Sequence, residues 1–412
     1  MLLYVIGGLV VVSFVMEVFL EYLNSTRRSP RLPDELKNIY DEDKYSKSVE
    51  YEKVKHRFSL AQGSFSLLLV LAMLFLGGFA VIDEFARGIS DSPVIIALIF
   101  FGVIMFGADI LQTPFDWYGT FVIEEKFGFN KSTLSVFLAD KLKGWLLTAI
   151  LGGGLLALIT WFYYLAGEWF WIYALAVIMG FGIFMNMFYS TLIVPLFNKQ
   201  TPLKEGELKD KIASLSKKTG FRLDDVYVID GSKRSTKANA YFAGIGKKKR
   251  IVLFDTLMED LSADNILAVL AHEIGHYKKK HTVVNMAVSF VTTAIALYLL
   301  SVMVTNPALS EALGADSPSF HMGLVAFGIL YSPVSAVFGI LNNWISRKNE
   351  YQADRFAAKH HSAEELADAL KKLSVKNLSN LLPHPLYVAV HYSHPPLLNR
   401  LRALKNNDHE NP

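Results

Sequence analysis

Residues 261–281 read LSADNILAVLAHEIGHYKKKH, and His272, Glu273 and His276 within them have a spacing that can do chemistry. Two histidines four residues apart on a helix project from one face, so two imidazole nitrogens can reach one metal ion. Glu273 adjoins the first of them, where its carboxylate can take a proton from a water whose pKa the ion has lowered. Ser262 is a suitable N-cap, and residues 263–275 are mostly good helix formers without a proline. The apolar run 266–271 gives this helix a side to bury. Two helix histidines are not yet a site, because a catalytic zinc centre takes three protein ligands. A His-x-x-Gly-x-x-His extension would supply the third locally, but Tyr277, the three lysines that follow and His281 do not fit that pattern. The third ligand is therefore expected from farther along the chain, as a carboxylate on another helix.

Two later stretches are candidates to complete the centre. In SRKNEYQAD at 346–354, Glu350 and Asp354 are four apart on one helical face. Glu350 could complete a site of two histidines and a glutamate, with Asp354 accepting the free N–H of a ligand histidine and fixing its tautomer. In HYSHPPLLNR at 391–400, His394 precedes two prolines and is held in an extended segment, as suits a rigid loop contributing a hydrogen-bond donor.

The elements that position these residues belong to a membrane protein. The chain has 412 residues, 52% of them hydrophobic, and a mean hydropathy of +0.30, too apolar for a typical soluble enzyme. Seven segments are long and apolar enough to span a bilayer, at about 2–22, 60–82, 94–111, 145–166, 169–196, 283–304 and 322–345. The first is followed by Arg27, Arg28 and Arg31 instead of a small-residue cleavage site, so it reads as a span and not a secretory signal. Lys and Arg concentrate in 24–59, 112–144, 198–281 and the tail after 346, whereas 83–93 holds only Arg87 and 306–321 holds none. This alternation puts the N-terminus outside and the C-terminus in the cytoplasm. Glu17, Glu21 and Asp109 fall within spans, where ionisable groups mark a function or a polar cavity. The absence of cysteine excludes disulfides and thiolate ligands. The net charge of +3 is small and says little about partners, among which no nucleic acid is expected.

Between the fifth and sixth spans, 198–260 is a polar insertion. It is expected to form a helix at 206–218, strands at 225–229, 238–242 and 250–254, and a loop at 232–237, leading into the metal helix. An extended peptide could add to the edge of such a sheet, with Asn239 near the end of that edge.

Several of these stretches together resemble one family, the integral-membrane type 1 CAAX prenyl proteases. The matching segments are YSKSVEYEKVKHRFSL from Tyr45, IEEKFGFNKST at 123–133, NAYFAG, HEIGH, SRKNEYQAD and the HPP segment. The resemblance implies a mainly α fold, a bundle of seven transmembrane helices enclosing a chamber, with a small α/β metallopeptidase insertion. It implies one zinc ion held by His272, His276 and Glu350, with Glu273 as the catalytic base and Asp354 behind the ligands. It also implies that Asn239 and His394 hold the substrate backbone or the developing oxyanion. Arg400, which closes HYSHPPLLNR, is assigned to substrate binding with them. The expected substrate is a peptide or protein, C-terminally prenylated or not, and the membrane a bacterial inner membrane or that of the endoplasmic reticulum. The chain divides at 1–197, a membrane region with five spans, and 198–412, the metallopeptidase with the last two spans. Two other functions fit parts of this pattern, a membrane-protein quality-control protease and a metal-ion transporter. A transporter needs its ligands near the bilayer midplane, whereas His272 precedes the sixth span and Glu350 follows the seventh.

Overall fold

Caps and glycines set where the long apolar runs start and turn. In the computed structural model, α1 (Leu2–Thr26) is followed by α2 (Glu42–Phe75), whose N-cap Asp41 accepts the Lys44 N–H at 2.7 Å. Gly77 adopts φ 72°, a left-handed conformation that glycine takes without cost, and starts α3 (Gly78–Arg87). A proline in its first turn opens α4 (Pro93–Tyr118). Thr133 caps α5 (Leu134–Leu147), which continues through a π-helical turn into α6 (Gly153–Ala166). A 3₁₀ turn at Gly167–Trp169 leads into α7 (Phe170–Phe188), and α8 (Val194–Phe197) follows a further π turn. The structure describes all residues except 30–31, 33–36, 38–39, 222–224, 244–249 and 408–412. Arg31 of the first basic loop and Gly244 of NAYFAG lie outside the described residues.

The polar insertion is an α/β unit. It comprises β1 (Gln200–Pro202), α9 (Glu207–Thr219), β2 (Asp225–Ile229), β3 (Ala240–Ala243), β4 (Arg250–Phe254) and α10 (Asp255–Asp260). The sheet order is β1-β2-β4-β3, with β2 and β4 parallel and both outer strands antiparallel to their neighbours. The second and third strands expected from sequence are β3 and β4; β3 starts two residues later than expected, and β1 is an addition. The metal helix α11 (Ala263–Lys278) comes next, capped by Ser262, whose hydroxyl accepts the Asn265 N–H at 3.1 Å. The remaining helices are α12 (His281–Met303), α13 (Pro307–Glu311), α14 (Phe320–His360), α15 (Ala363–Lys376), α16 (Pro385–His391) and α17 (Leu397–Asn407).

Among the described residues, six helical stretches are long and apolar enough to cross a membrane, against the seven expected. The difference lies in the fourth stretch, Leu134–Phe197. Its 64 residues hold two expected spans, with the 3₁₀ turn between them and α6 packed on α7. The expected span 60–82 is also interrupted: α2 stops at Phe75, and Gly77 redirects the chain. Hydropathy alone does not see that break, because Leu76 to Ala80 are as apolar as the helix.

The helices form a ring. α1 packs on α2, α2 on α3, α3 on α4, α4 on α6, α6 on α7, α7 on α12, α12 on α14, and α14 on α1. Two apolar cores close the end of the ring away from the metal helix. One gathers Ile6, Leu74, Phe79, Ile96, Phe100 and Met322; the other gathers Phe170, Leu297, Leu300, Phe320 and Phe327. Between the ends, residues 52–73 of α2, 101–118 of α4, 282–296 of α12 and 328–348 of α14 include no buried residue. Helices in a solid bundle would bury an inward stripe along their length. A ring packed at its ends, with no buried residue on these four stretches between them, encloses a chamber.

The other end is closed by the α/β unit. Ile251 and Leu253 of β4, Leu257, and Ile266, Leu267, Leu270 and Ile274 of α11 form its core with Ala357 of α14 and Leu366 of α15. Full burial of each Ile or Leu side chain contributes about 1.5–3 kcal/mol. This core therefore offsets the several kcal/mol that each buried ion of the adjoining site costs.

Candidate metal centre

Gly275 lets two helices approach closely enough to build the site. It lies inside HEIGH, where a helix-interior glycine costs about 1 kcal/mol relative to alanine. A Cβ at this position would stand 3.1 Å from Ala353 Cα and 3.0 Å from Phe356 Cβ on α14. Without it, α11 lies against α14, and His272 and His276 face Glu350. The Nε2 atoms of the two histidines are 3.1 Å apart. Glu350 Oε2 is 3.4 Å from His272 Nε2, and Oε1 is 3.2 Å from His276 Nε2.

Neighbouring groups fix what each imidazole presents. Asp354 Oδ1 is 2.8 Å from His272 Nδ1 and, as a carboxylate, only accepts, so Nδ1 carries the proton and Nε2 points its lone pair at Glu350. Behind His276 is a relay that sequence reading did not find. Gln352 Oε1 accepts from His281 Nε2 at 3.3 Å, so His281 Nδ1 accepts from His276 Nδ1 at 3.0 Å. That leaves His276 Nε2 with its lone pair in the site. His281 reaches this position because Lys280 takes a left-handed φ of 59° between α11 and α12. The only sequence signal for it was a histidine closing the lysine run that ends the metal helix.

Arg400 lies behind the centre. Its Nε and NH2 donate to the two Asp354 oxygens at 2.9 and 2.6 Å, and NH1 is 3.5 Å from Glu350 Oε2. The bidentate pair holds Asp354 against His272. His394 comes from the HPP segment, with Nε2 3.3 Å from Glu350 Oε1 and most of its side chain exposed. Glu273 is half-buried and makes no hydrogen bond or ion pair among the described residues, so no neighbour occupies its carboxylate. Asn239 immediately precedes the edge strand β3. Its Oδ1 accepts the Ala240 N–H at 2.9 Å and its carbonyl accepts the Phe254 N–H at 3.1 Å; no hydrogen bond joins it to the cluster.

The donor set fits a divalent ion. His272, His276 and Glu350 form the one group of convergent metal-ligating side chains among the described residues. Glu350 Oε2 is buried without a hydrogen-bond partner, with Arg400 NH1 3.5 Å away, and a buried carboxylate oxygen that accepts no hydrogen bond is costly unless a metal ion meets it. Ligands at about 2.0–2.1 Å from a tetrahedral ion stand about 3.3 Å apart, close to the separations found here. Without an ion a proton takes part of its place. Burial opposes charge on His272, yet the carboxylates of Asp354 and Glu350 beside it outweigh it and push its pKa up to about 9.

Two imidazole nitrogens and a buried carboxylate at the mouth of a hollow helical ring define a membrane metallopeptidase. Residues 21–199 match the family described as CAAX prenyl protease N-terminal, five membrane helices, and residues 202–408 match peptidase family M48. The chain is 36% identical to CAAX prenyl protease 1 homolog of Arabidopsis thaliana, over 97% of each protein. It is 35% identical to CAAX prenyl protease 1 of Saccharomyces cerevisiae, covering 97% of this chain and 94% of that one. The crystal structure of S. mikatae Ste24p superposes with a TM-score of 0.93 at 33% identity, covering 98% of this chain and 99% of that one. The chain belongs to the CAAX prenyl protease 1 family. It is a multi-pass membrane zinc metalloprotease acting on peptide or protein substrates.

Proposed function

We propose that this protein hydrolyses a peptide bond near the C-terminus of prenylated proteins, using one zinc ion held by His272, His276 and Glu350. The observation that carries the ligand assignment is the convergence of two Nε2 atoms on Glu350, whose Oε2 is buried and has no hydrogen-bond partner. When bound, zinc supplies a Lewis acid that polarises the scissile carbonyl and lowers the pKa of water in the site. Glu273 takes the proton of the attacking water and passes it to the leaving amine, a role that its free carboxylate beside His272 supports. His394, exposed at the rim of the site, donates to the oxyanion as charge develops. Asn239 positions the substrate backbone at the start of edge strand β3. Asp354 fixes the His272 tautomer, and Arg400 holds Asp354, so we read Arg400 as acting on the substrate through the ligands and not by direct contact. The functional division falls at 197/198, because the helices that carry or continue the ligand-bearing elements all lie in 198–412.

The prenylated substrate is supported by the names of the relatives and by the chamber, whose apolar helices suit a lipid chain. Cleavage of a farnesylated C-terminal peptide and its unprenylated copy by purified protein, with and without a chelator, tests this reading. Chelator-sensitive cleavage of the farnesylated peptide, well above its copy, is expected; equal rates would remove prenyl recognition. We also place the metal centre on the cytoplasmic face with the C-terminus, as the basic loops support. In this cysteine-free chain, a Lys278→Cys variant in sealed vesicles should react with an impermeant thiol reagent from the cytoplasmic side only. Labelling solely from the opposite side would invert the topology.

A further inference from the structure

The residues that follow the cleaved bond need a place to go, and the fold provides one; this inference rests on the reading above that the substrate is cut near its C-terminus. β3 pairs with β4 on one side and ends the sheet, leaving its other edge unpaired among the described strands. A peptide adding antiparallel to β3, the commoner pairing, runs from the 243 end toward the 240 end. Its C-terminal part then passes Asn239 and continues toward Lys237.

A cavity of about 620 Å³ opens there, beside His394 and Arg400, with Tyr51, Glu52, Lys55 and Lys237 in its lining. An extended peptide advances about 3.3 Å per residue, so a cavity of this size holds a short C-terminal segment. Its basic groups are not equivalent. Arg400 is engaged by Asp354. Lys237 Nζ donates to Glu124 Oε2 at 2.7 Å and to the Tyr51 hydroxyl at 3.0 Å, which fixes its position and offsets its charge. Lys55 makes no ion pair within 4.0 Å among the described residues, although the Glu52 carboxylate one turn away in the same lining feels its charge; its Nζ stands 5.1 Å from the centre of the Tyr51 ring. It is exposed, and its length lets it swing into the cavity. An ammonium without a direct ion pair, in a cavity of polar groups at the C-terminal end of the substrate path, suits a carboxylate.

We propose that this cavity receives the residues after the scissile bond and that Lys55 binds their free terminal α-carboxylate. The enzyme would then measure the distance from the chain end to the cut.

The test compares kcat/KM of purified holoenzyme on three peptides of one sequence, ending in a free carboxylate, in a carboxamide, or in two further residues. The wild type is expected to favour the free acid about tenfold or more, the usual worth of a hydrogen-bonded charge, with the difference residing in KM. Lys55→Met should bring the acid-to-amide ratio near unity, and Lys55→Arg should keep it. Lys53→Met, on the same helix but outside the cavity lining, should also keep it. Equal cleavage of acid and amide by the wild type, or an undiminished preference in Lys55→Met, overturns the proposal while leaving C-terminal cleavage standing. Failure of the wild type to cut any of the three peptides removes the reading beneath it and the proposal together.

Discussion

Two buried histidines lie near opposite ends of α14's span, and each meets an aspartate that an arginine also holds. At the far end, His321 Nε2 is 2.6 Å from Asp83 Oδ1, and Arg87 Nε donates to Asp83 Oδ2 at 2.9 Å. At the metal end, His272 Nδ1 is 2.8 Å from Asp354 Oδ1, and Arg400 holds both Asp354 oxygens. Roughly 50 Å of helix separates His321 from Asp354 along α14, at 1.5 Å per residue. The difference lies in what the rest of the imidazole meets. The His321 ring packs on Phe100, 4.7 Å between centroids, and no further histidine or carboxylate converges on it among the described residues. His272 turns its second nitrogen toward His276 and Glu350. A buried His–Asp–Arg chain is thus a latch between helices when it ends in an aromatic core. It becomes part of a reactive centre when the free nitrogen has lone-pair partners.

Substitutions at the two ends should separate these roles. Glu350→Ala is expected to lose both metal retention and peptidase activity. His321→Ala should keep its metal-to-protein ratio while losing about 1–3 kcal/mol of stability, as expected when a buried hydrogen-bonding group loses its partner. Metal analysis with thermal melts distinguishes them. Normal metal content in Glu350→Ala would overturn the ligand assignment. A smaller effect is expected of Asp354→Ala, which removes the orienting partner but no ligand. Metal affinity should fall about 10- to 100-fold, measured by competition with a fluorescent chelator; an unchanged affinity would make Asp354 merely structural, like Asp83.

A pH dependence needs no substitution at all. The His272 pKa is raised from 6.5 to about 9 in the metal-free protein. A raised folded pKa means that proton binding stabilises the metal-free fold fully below pH 6.5 and that this stabilisation is lost as pH rises through about 9. Metal must displace that proton, so apparent affinity should rise with pH across this window, by at most about tenfold per unit, and then level off. A flat profile between these limits would contradict the assigned hydrogen bond between His272 and Asp354.

The site was legible in sequence to the extent that helix periodicity alone determines it. His272, Glu273 and His276 share a face wherever that helix lies, and Glu350 and Asp354 share another. The strands β2 and β4 keep the bounds expected of them, because apolar β-branched runs between polar residues can do little else. What escaped depends on tertiary contact or on single backbone angles. β1 is three residues with no alternation to read. The relay from His276 through His281 depends on one left-handed lysine. Arg400 joins the centre from behind because α17 packs on α14 and α15, and nothing in HYSHPPLLNR states that direction. Gly275 could have been suspected, since a glycine inside an otherwise good helix invites a reason.

The central claim is that this chain holds one zinc with three side chains and moves protons with a fourth. Glu273→Gln tests it most directly, because the substitution leaves every proposed ligand in place and removes only the base. Metal analysis of the purified variant beside a peptidase assay should find about one zinc per chain and activity reduced by about 10²- to 10⁴-fold, the usual contribution of a general base. A zinc-loaded Glu273→Gln protein with full activity would contradict the account.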